Sequence, residues 1–123
     1  IEKAYCCIAS NARDFARFGK LYKQNGKWNG QQILDSAFIA KSLKPRFADS
    51  PAYGYGWWLH TIKGKKIFYM RGHLGQFVIV IPEDNVIIVR LGHLKGLQTA
   101  TDAHSNDLYV YIEEAYKMIN KKK

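Results

Sequence analysis

One short stretch of the sequence has residue types that could take part in catalysis: Gly72-His73-Leu74-Gly75-Gln76. Histidine exchanges a proton near neutral pH, so His73 could donate a hydrogen bond or share a proton at this position. The glycines on either side would let another backbone or a ligand approach closely. A histidine in a glycine-rich turn can equally have no role beyond the turn, and the pattern alone leaves both interpretations open.

The sequence offers no nucleophile to accompany His73. None of the serines lies in a Gly-x-Ser-x-Gly motif, and none precedes a lysine by three positions as in Ser-x-x-Lys. Neither Tyr-x-Asn nor a complete glycine-rich phosphate loop is present. We interpret the serines as helix caps or loop residues; they are Ser10, Ser36, Ser42, Ser50 and Ser105.

The remaining histidines and the aromatic stretch over residues 53–58 give no convergent site. His60, His93 and His104 fall in separate predicted elements, so we predict no metal site and no cofactor. In the aromatic stretch, tyrosines and tryptophans alternate with glycines. They could line a binding groove, or one face of a strand could bury them in the core, and both alternatives stay open.

Composition fits a single domain with a hydrophobic core. The chain has 123 residues, of which 47% are hydrophobic, and a net charge of +9. The basic residues are scattered and no nucleic-acid-binding motif is present, so we favour a solvated basic face and expect no nucleic-acid partner. The adjacent Cys6 and Cys7 favour two buried thiols, because neighbouring cysteines rarely pair.

Hydrophobic periodicity predicts helices around a central sheet. Helical spacing covers residues 11–24, with Ser10 as the cap, and residues 36–43, with Asp35 or Ser36 as the cap. A final helix is predicted from Asp102 or Ser105 to about residue 120. Asn29-Gly30 predicts a small hairpin. Predicted strands cover residues 54–60, 66–72, 76–81 and 86–92, and the unbroken apolar runs among them favour strands covered on both faces.

These elements predict an α/β (α+β) fold with an antiparallel sheet of three to four strands flanked by helices. The whole chain, residues 1–123, forms one domain in this interpretation. Residues 1–52 supply helices and the hairpin, 53–92 the sheet, and 93–123 a loop and the C-terminal helix. Because the chain opens without methionine and in mid-pattern, we interpret it as the C-terminal fragment of a larger protein.

Five motifs, in order, resemble the serine β-lactamase-like family, which includes class C β-lactamases, D-alanyl-D-alanine carboxypeptidases and related esterases. They are SNARDFARFG (10–19), NGKWNGQQIL (25–34), YGYGWW (53–58), GHLGQ (72–76) and IPE (81–83). Spacing and order agree over residues 8–120. The resemblance implies a partial β-lactamase/transpeptidase-like fold and a parent serine hydrolase that cleaves amides or esters through an acyl-enzyme.

The resemblance also implies roles for single residues. His73 and Gly75 match the family's His-x-Gly element. His73 would then orient the substrate or stabilise charge on it, and Gly75 would keep a side chain out of the cleft. The N–H of Gln76 would be an oxyanion donor. We add Tyr55, Trp57 and Leu74 as candidate substrate-binding residues. Because Ser-x-x-Lys and Tyr-x-Asn are absent, we expect the chain alone to be inactive. The histidine in place of the lysine of the family's Lys-Thr-Gly favours an esterase or peptidase over an efficient β-lactamase.

The resemblance implies a small-molecule or peptidoglycan-like substrate and an extracytoplasmic or periplasmic location for the parent protein. The alternative is a non-catalytic module that binds a peptide, a cell-wall fragment or an anionic polymer; an upstream Ser-x-x-Lys would separate the two. In the resembled fold an N-terminal strand pairs beside the last strand. We therefore expect self-association through the strand edge at 86–91, or pairing of that edge with residues 1–8.

Overall fold

A computed structural model of the chain describes residues 7–94, 96 and 103–121. Within these ranges the chain forms three helices and six strands, and none of the helices is long and apolar enough to cross a membrane. The elements are α1 (Ala12–Lys23), β1 (Lys27–Trp28), β2 (Gln31–Gln32), α2 (Ser36–Ser42), β3 (Trp58–Ile62), β4 (Lys65–Arg71), β5 (Phe77–Ile81), β6 (Val86–Arg90) and α3 (Asn106–Asn120). The predicted mixed α/β class is confirmed.

The larger sheet is antiparallel with the strand order β3-β4-β5-β6. Lys63 and Gly64 join β3 to β4 with φ values of 50° and 79°, which fits the two-residue turn that matches the twist of a hairpin. A four-residue turn over residues 82–85 joins β5 to β6, and Ile81 pairs with Val86 next to it. This order places β4 and β5 inside the sheet and β6 at one edge of its described part.

Helices cover both faces of this sheet, as the unbroken apolar runs predicted. Side chains alternate between the two faces of a strand, so each strand contributes to two separate core clusters. One cluster packs beneath α3 and contains Ile67, Tyr69, Phe77, Ile79, Ile81, Leu108 and Ile112. The other packs beneath α1 and α2 and contains Tyr22, Ile39, Trp57, Phe68 and Val80.

The helix starts differ in detail from the predicted caps. Asn11, and not Ser10, caps α1, because its side chain accepts the N–H of Asp14 at 3.0 Å. Ser10 instead donates its hydroxyl to the Asp14 carboxylate at 2.9 Å. Asp35 caps α2, as one of the two predicted alternatives. Ser105 occupies the cap position of α3 without a capping hydrogen bond from its side chain.

Two sequence predictions are wrong in this part of the chain. β3 begins at Trp58 and not at Gly54, because Gly54 donates its N–H to Trp57 O at 2.8 Å and closes a turn first. Cys7 is exposed and disulfide-bonded, so it is not a buried thiol. Cys6 and most of the predicted loop at 93–103 lie outside the described residues.

Candidate active-site cleft

A cleft of about 490 Å³ opens where the β4–β5 turn faces the start of α3. Its floor comes from the sheet, through the aromatic rings of Trp58 and Phe77. The turn lines one side and the first residues of α3 line the other. The lining residues are Tyr53, Trp58, Arg71, Gly72, His73, Gly75, Phe77, Gly96, Ser105 and Asp107.

The β4–β5 turn carries His73 into this cleft. β4 ends at Arg71, so His73 lies in the turn rather than at the end of a strand. The backbone closes the turn through two hydrogen bonds, from Gly72 N–H to Gln76 O at 2.8 Å and from Gly75 N–H to Gly72 O at 3.1 Å. His73 is exposed at the tip, where it can contact another molecule.

Backbone conformation explains the glycine at position 75. Gly75 is buried with a φ of 84°, a left-handed conformation that side chains with a Cβ rarely adopt. From sequence we predicted that Gly75 keeps a side chain out of the cleft. The positive φ is a separate and sufficient reason for glycine at this position.

The side chain of Gln76 is part of the turn itself. Its Nε2 donates to Gly92 O at 2.5 Å, and its Oε1 accepts the N–H of Leu74 at 3.2 Å. Leu74 is 40% exposed beside His73. The role that we predicted for Gln76 concerns its backbone N–H and stays a prediction.

Arg71 places a cation in the cleft, and the sequence analysis missed it. Its guanidinium lies 4.2 Å from the centre of the Trp58 ring, and it donates to Ala103 O at 3.4 Å. Trp58 in turn meets the edge of Tyr53, with ring centres 5.1 Å apart. An arginine at the end of a strand, directly before the Gly-His element, is the local signal that could have identified it.

The wall formed by α3 brings polar side chains to the cleft from about 30 residues further along the chain. Asp107 accepts the N–H of Gly96 at 2.7 Å. Ser105 has a buried hydroxyl oxygen without a hydrogen-bond partner among the described residues. No local pattern relates these residues to His73, so sequence reasoning had no means of grouping them.

Two of the predicted substrate-binding residues lie elsewhere. Trp57 is 2% exposed and packs in the core against Tyr22 and Phe68, with ring centres 4.7 and 5.0 Å away. Tyr55 accepts a hydrogen bond from Arg46 at 2.8 Å and does not line the cleft. The structure therefore brings together His73 and Gly75, with Leu74 and Gln76 in the same turn, and leaves Tyr55 and Trp57 outside.

Two histidines that fall in separate predicted elements meet next to the cleft. The rings of His60 and His104 stack with centres 3.8 Å apart. His60 Nε2 lies 3.0 Å from the hydroxyl of Tyr109, and His104 Nδ1 lies 2.6 Å from that of Tyr69. Over the described part of the chain, no three His, Cys, Asp or Glu side chains are placed to hold a metal ion.

Comparison with known proteins identifies the family. The family model "Beta-lactamase" matches residues 6–111. A solved structure from Bacillus anthracis, provisionally assigned as a 6-aminohexanoate-dimer hydrolase, is similar with a TM-score of 0.62 and 27% sequence identity. The match covers 88% of this chain and 28% of that one, so this chain spans less than a third of that protein. No curated protein matches the chain. The family match over most of the sequence, on a helix-covered antiparallel sheet, shows that the chain belongs to the beta-lactamase family of serine hydrolases.

Proposed function

We propose that this chain supplies one wall of the active site of a hydrolase that cleaves an amide or ester bond through an acyl-enzyme. The cleft carries the proposal, because it joins the exposed His73 to the cation Arg71 in a chain of this family. Oxygen atoms that gain negative charge during acyl transfer are stabilised by nearby cations and N–H donors. Arg71 is the cation that supports the proposal, because it lines the cleft.

Each residue of the turn has a proposed role. His73 orients or stabilises charge on the substrate, since it is exposed at the tip of the turn. The N–H of Gln76 donates to the oxyanion, and Leu74 contacts the apolar part of the substrate. Arg71, held against Trp58, provides a fixed positive charge at the same cleft.

The nucleophile in this proposal comes from polypeptide outside the 123 residues. The sequence contains neither Ser-x-x-Lys nor Tyr-x-Asn, and the chain spans 28% of its structural relative. The isolated chain is therefore expected to be inactive. That relative is provisionally assigned as a 6-aminohexanoate-dimer hydrolase. Open-chain amides therefore belong among the first substrates to test, beside esters and β-lactams.

Substitution of His73 in the full-length gene product tests the proposed site. His73→Ala should lower kcat/KM for p-nitrophenyl esters and open-chain amides by at least about tenfold, because it removes a group that acts on developing charge. His93→Ala is the matched control, since His93 is also exposed and does not line the cleft. Equal activities of the two variants would remove His73 from the site.

A non-catalytic binding module is the second candidate, because these 123 residues contain no Ser-x-x-Lys. Such a module would bind a peptide, a cell-wall fragment or an anionic polymer. It predicts ligand binding by a full-length protein that lacks Ser-x-x-Lys upstream of this chain. A Ser-x-x-Lys followed by Tyr-x-Asn in that upstream sequence would favour the hydrolase.

A further inference from the structure

Two side chains reach in opposite directions between the β4–β5 turn and the end of β6. The last register pair on this side of the β5–β6 ladder is Phe77 with Arg90. Beyond that pair, Arg90 Nη1 donates to Gly75 O at 2.7 Å, and Gln76 Nε2 donates to Gly92 O at 2.5 Å. We call this reciprocal pair of side chains, Gln76 and Arg90, the clasp.

Two glycines leave the space that the clasp occupies. A Cβ on Gly92 would lie 2.8 Å from Arg90 Cζ, and a Cβ on Gly72 would lie 2.3 Å from Gln76 Oε1. Neither glycine has a positive φ, so backbone conformation does not require glycine at these positions. Their absent side chains instead make room for a guanidinium and an amide.

Arg90 also connects the turn to α3. Its guanidinium lies 5.7 Å from the centre of the Tyr111 ring. Tyr111 and Asp107 are four residues apart and therefore lie on the same side of the helix. Because Asp107 lines the cleft, Arg90 joins the turn on one side of the cleft to the helix on the other.

We propose that Arg90 and Gln76 are positioning residues that hold His73 and Gly75 at a fixed place relative to α3. An active site needs its groups held within about 0.5 Å of their working positions, and rigid neighbouring elements provide that precision. A partly buried hydrogen bond from a guanidinium is among the stronger ones available for this purpose. The catalytic meaning of the clasp rests on the proposed function, whereas its effect on the turn can be measured without any reaction.

Amide hydrogen exchange of the chain, read by NMR, tests the clasp directly. Arg90→Gln should speed exchange at Gly72, Leu74 and Gly75 by about tenfold or more, because a charge-assisted hydrogen bond is lost. Exchange in the interior of β5 should change far less. Arg90→Lys should give an intermediate rate, since lysine keeps a charged donor but not the planar fork. Lys44→Gln is the control, because it removes one charge from an exposed loop.

Gly92→Ala gives a second variant that keeps Arg90 in the chain. The added Cβ displaces the guanidinium, so exchange in the turn should rise as it does in Arg90→Gln. In an Arg90→Gln background, Gly92→Ala should then add nothing, because the group that it displaces is gone. Additive effects of the two substitutions would show that Gly92 acts in another way.

Unchanged exchange in the turn of both single variants would overturn the proposal. So would equal acceleration throughout the sheet, which would make Arg90 a contributor to global stability alone. Within the full-length protein, Arg90→Gln should lower kcat more than Arg90→Lys does. The variant with the faster exchange in the turn should thus have the lower kcat. If Arg90→Gln does not change hydrogen exchange in the turn, the clasp is rejected but the proposed hydrolase is not. If the full-length protein and all its variants are inactive, the proposed hydrolase is rejected but the clasp is not.

Discussion

The guanidinium carbon of Arg71 lies 4.2 Å from the centre of the Trp58 ring, so a planar cation covers an aromatic face at the floor of the cleft. Both side chains are half-buried. The contact fixes the position of the charge. The guanidinium therefore loses little further conformational freedom when it meets a ligand. Arg71 is thus part of the fold as well as of the cleft.

Because Arg71 stacks on Trp58, substitution of Arg71 should lower the stability of the chain measurably. Arg71→Gln should lower the free energy of unfolding by about 1 kcal/mol, the usual size of a cation–π contact at such a site. Arg71→Lys should lose part of this amount, because an ammonium keeps the charge but cannot stack as a plane. Urea unfolding of the chain checks both values against Lys44→Gln. An Arg71→Gln variant as stable as that control would show that the stacked pair contributes nothing.

At the opposite end of the sheet, the contacts of Asp84 should make the stability of the folded chain sensitive to acid. Hydrogen bonds from Lys65 at 2.6 Å and from the hydroxyl of Tyr116 lower the pKa of Asp84 from 3.8. A carboxylate whose pKa is lower in the folded chain stabilises it above the unfolded pKa and loses this effect as pH falls through the folded one. The urea midpoint should therefore fall more steeply on acidification in the original chain than in Asp84→Asn. Parallel pH curves for the two proteins would contradict this.

The same contact predicts a loss of stability in alkali. Burial, together with the hydrogen bond to Asp84, raises the pKa of Tyr116 from 10.0 to about 12. Its contribution is complete below pH 10 and disappears as pH rises towards about 12, because the unfolded chain ionises first. Tyr116→Phe should remove this part of the alkaline decline. A decline of unchanged size in that variant would assign it to other groups.

The edge of β6 predicts self-association. In the described part of the sheet, β6 pairs with β5 on one side only, and its sequence is apolar except for Arg90. Unpaired strand edges pair with other chains unless a charge blocks them. Light scattering should show dimers or larger species that diminish in Val89→Lys. Ile33→Lys is the control, because Ile33 is a 55% exposed apolar residue away from β6. A chain that is monomeric at all concentrations would contradict the prediction.

The sheet could be predicted from the sequence because its signals are local. The apolar runs at 77–81 and 86–90 are uninterrupted, and turn residues separate each strand from the next. The burial of Trp57 could not be decided in the same way. Trp57 directly precedes β3, and both faces of the sheet are covered, so Trp57 enters one core cluster while Trp58 packs against the other.

The candidate site was only partly predictable. His73, Gly75 and Gln76 lie within five consecutive residues, 72–76, so a sequence motif could identify them together. Ser105 and Asp107 reach the cleft through the packing of α3, and Arg90 reaches Gly75 through the strand register, 15 residues away along the chain. Contacts of this kind depend on the assembled sheet, and no spacing in the sequence indicates them.

Intact mass spectrometry after exposure to an acylating ester or β-lactam shows whether the nucleophile lies outside this chain. We expect no acyl adduct on the 123-residue chain, which has no Ser-x-x-Lys. We expect one adduct on the full-length protein, which peptide analysis should map to a serine outside these residues. An adduct on Ser10, Ser36, Ser42, Ser50 or Ser105 of the isolated chain, or a full-length protein that never forms one, would contradict these expectations.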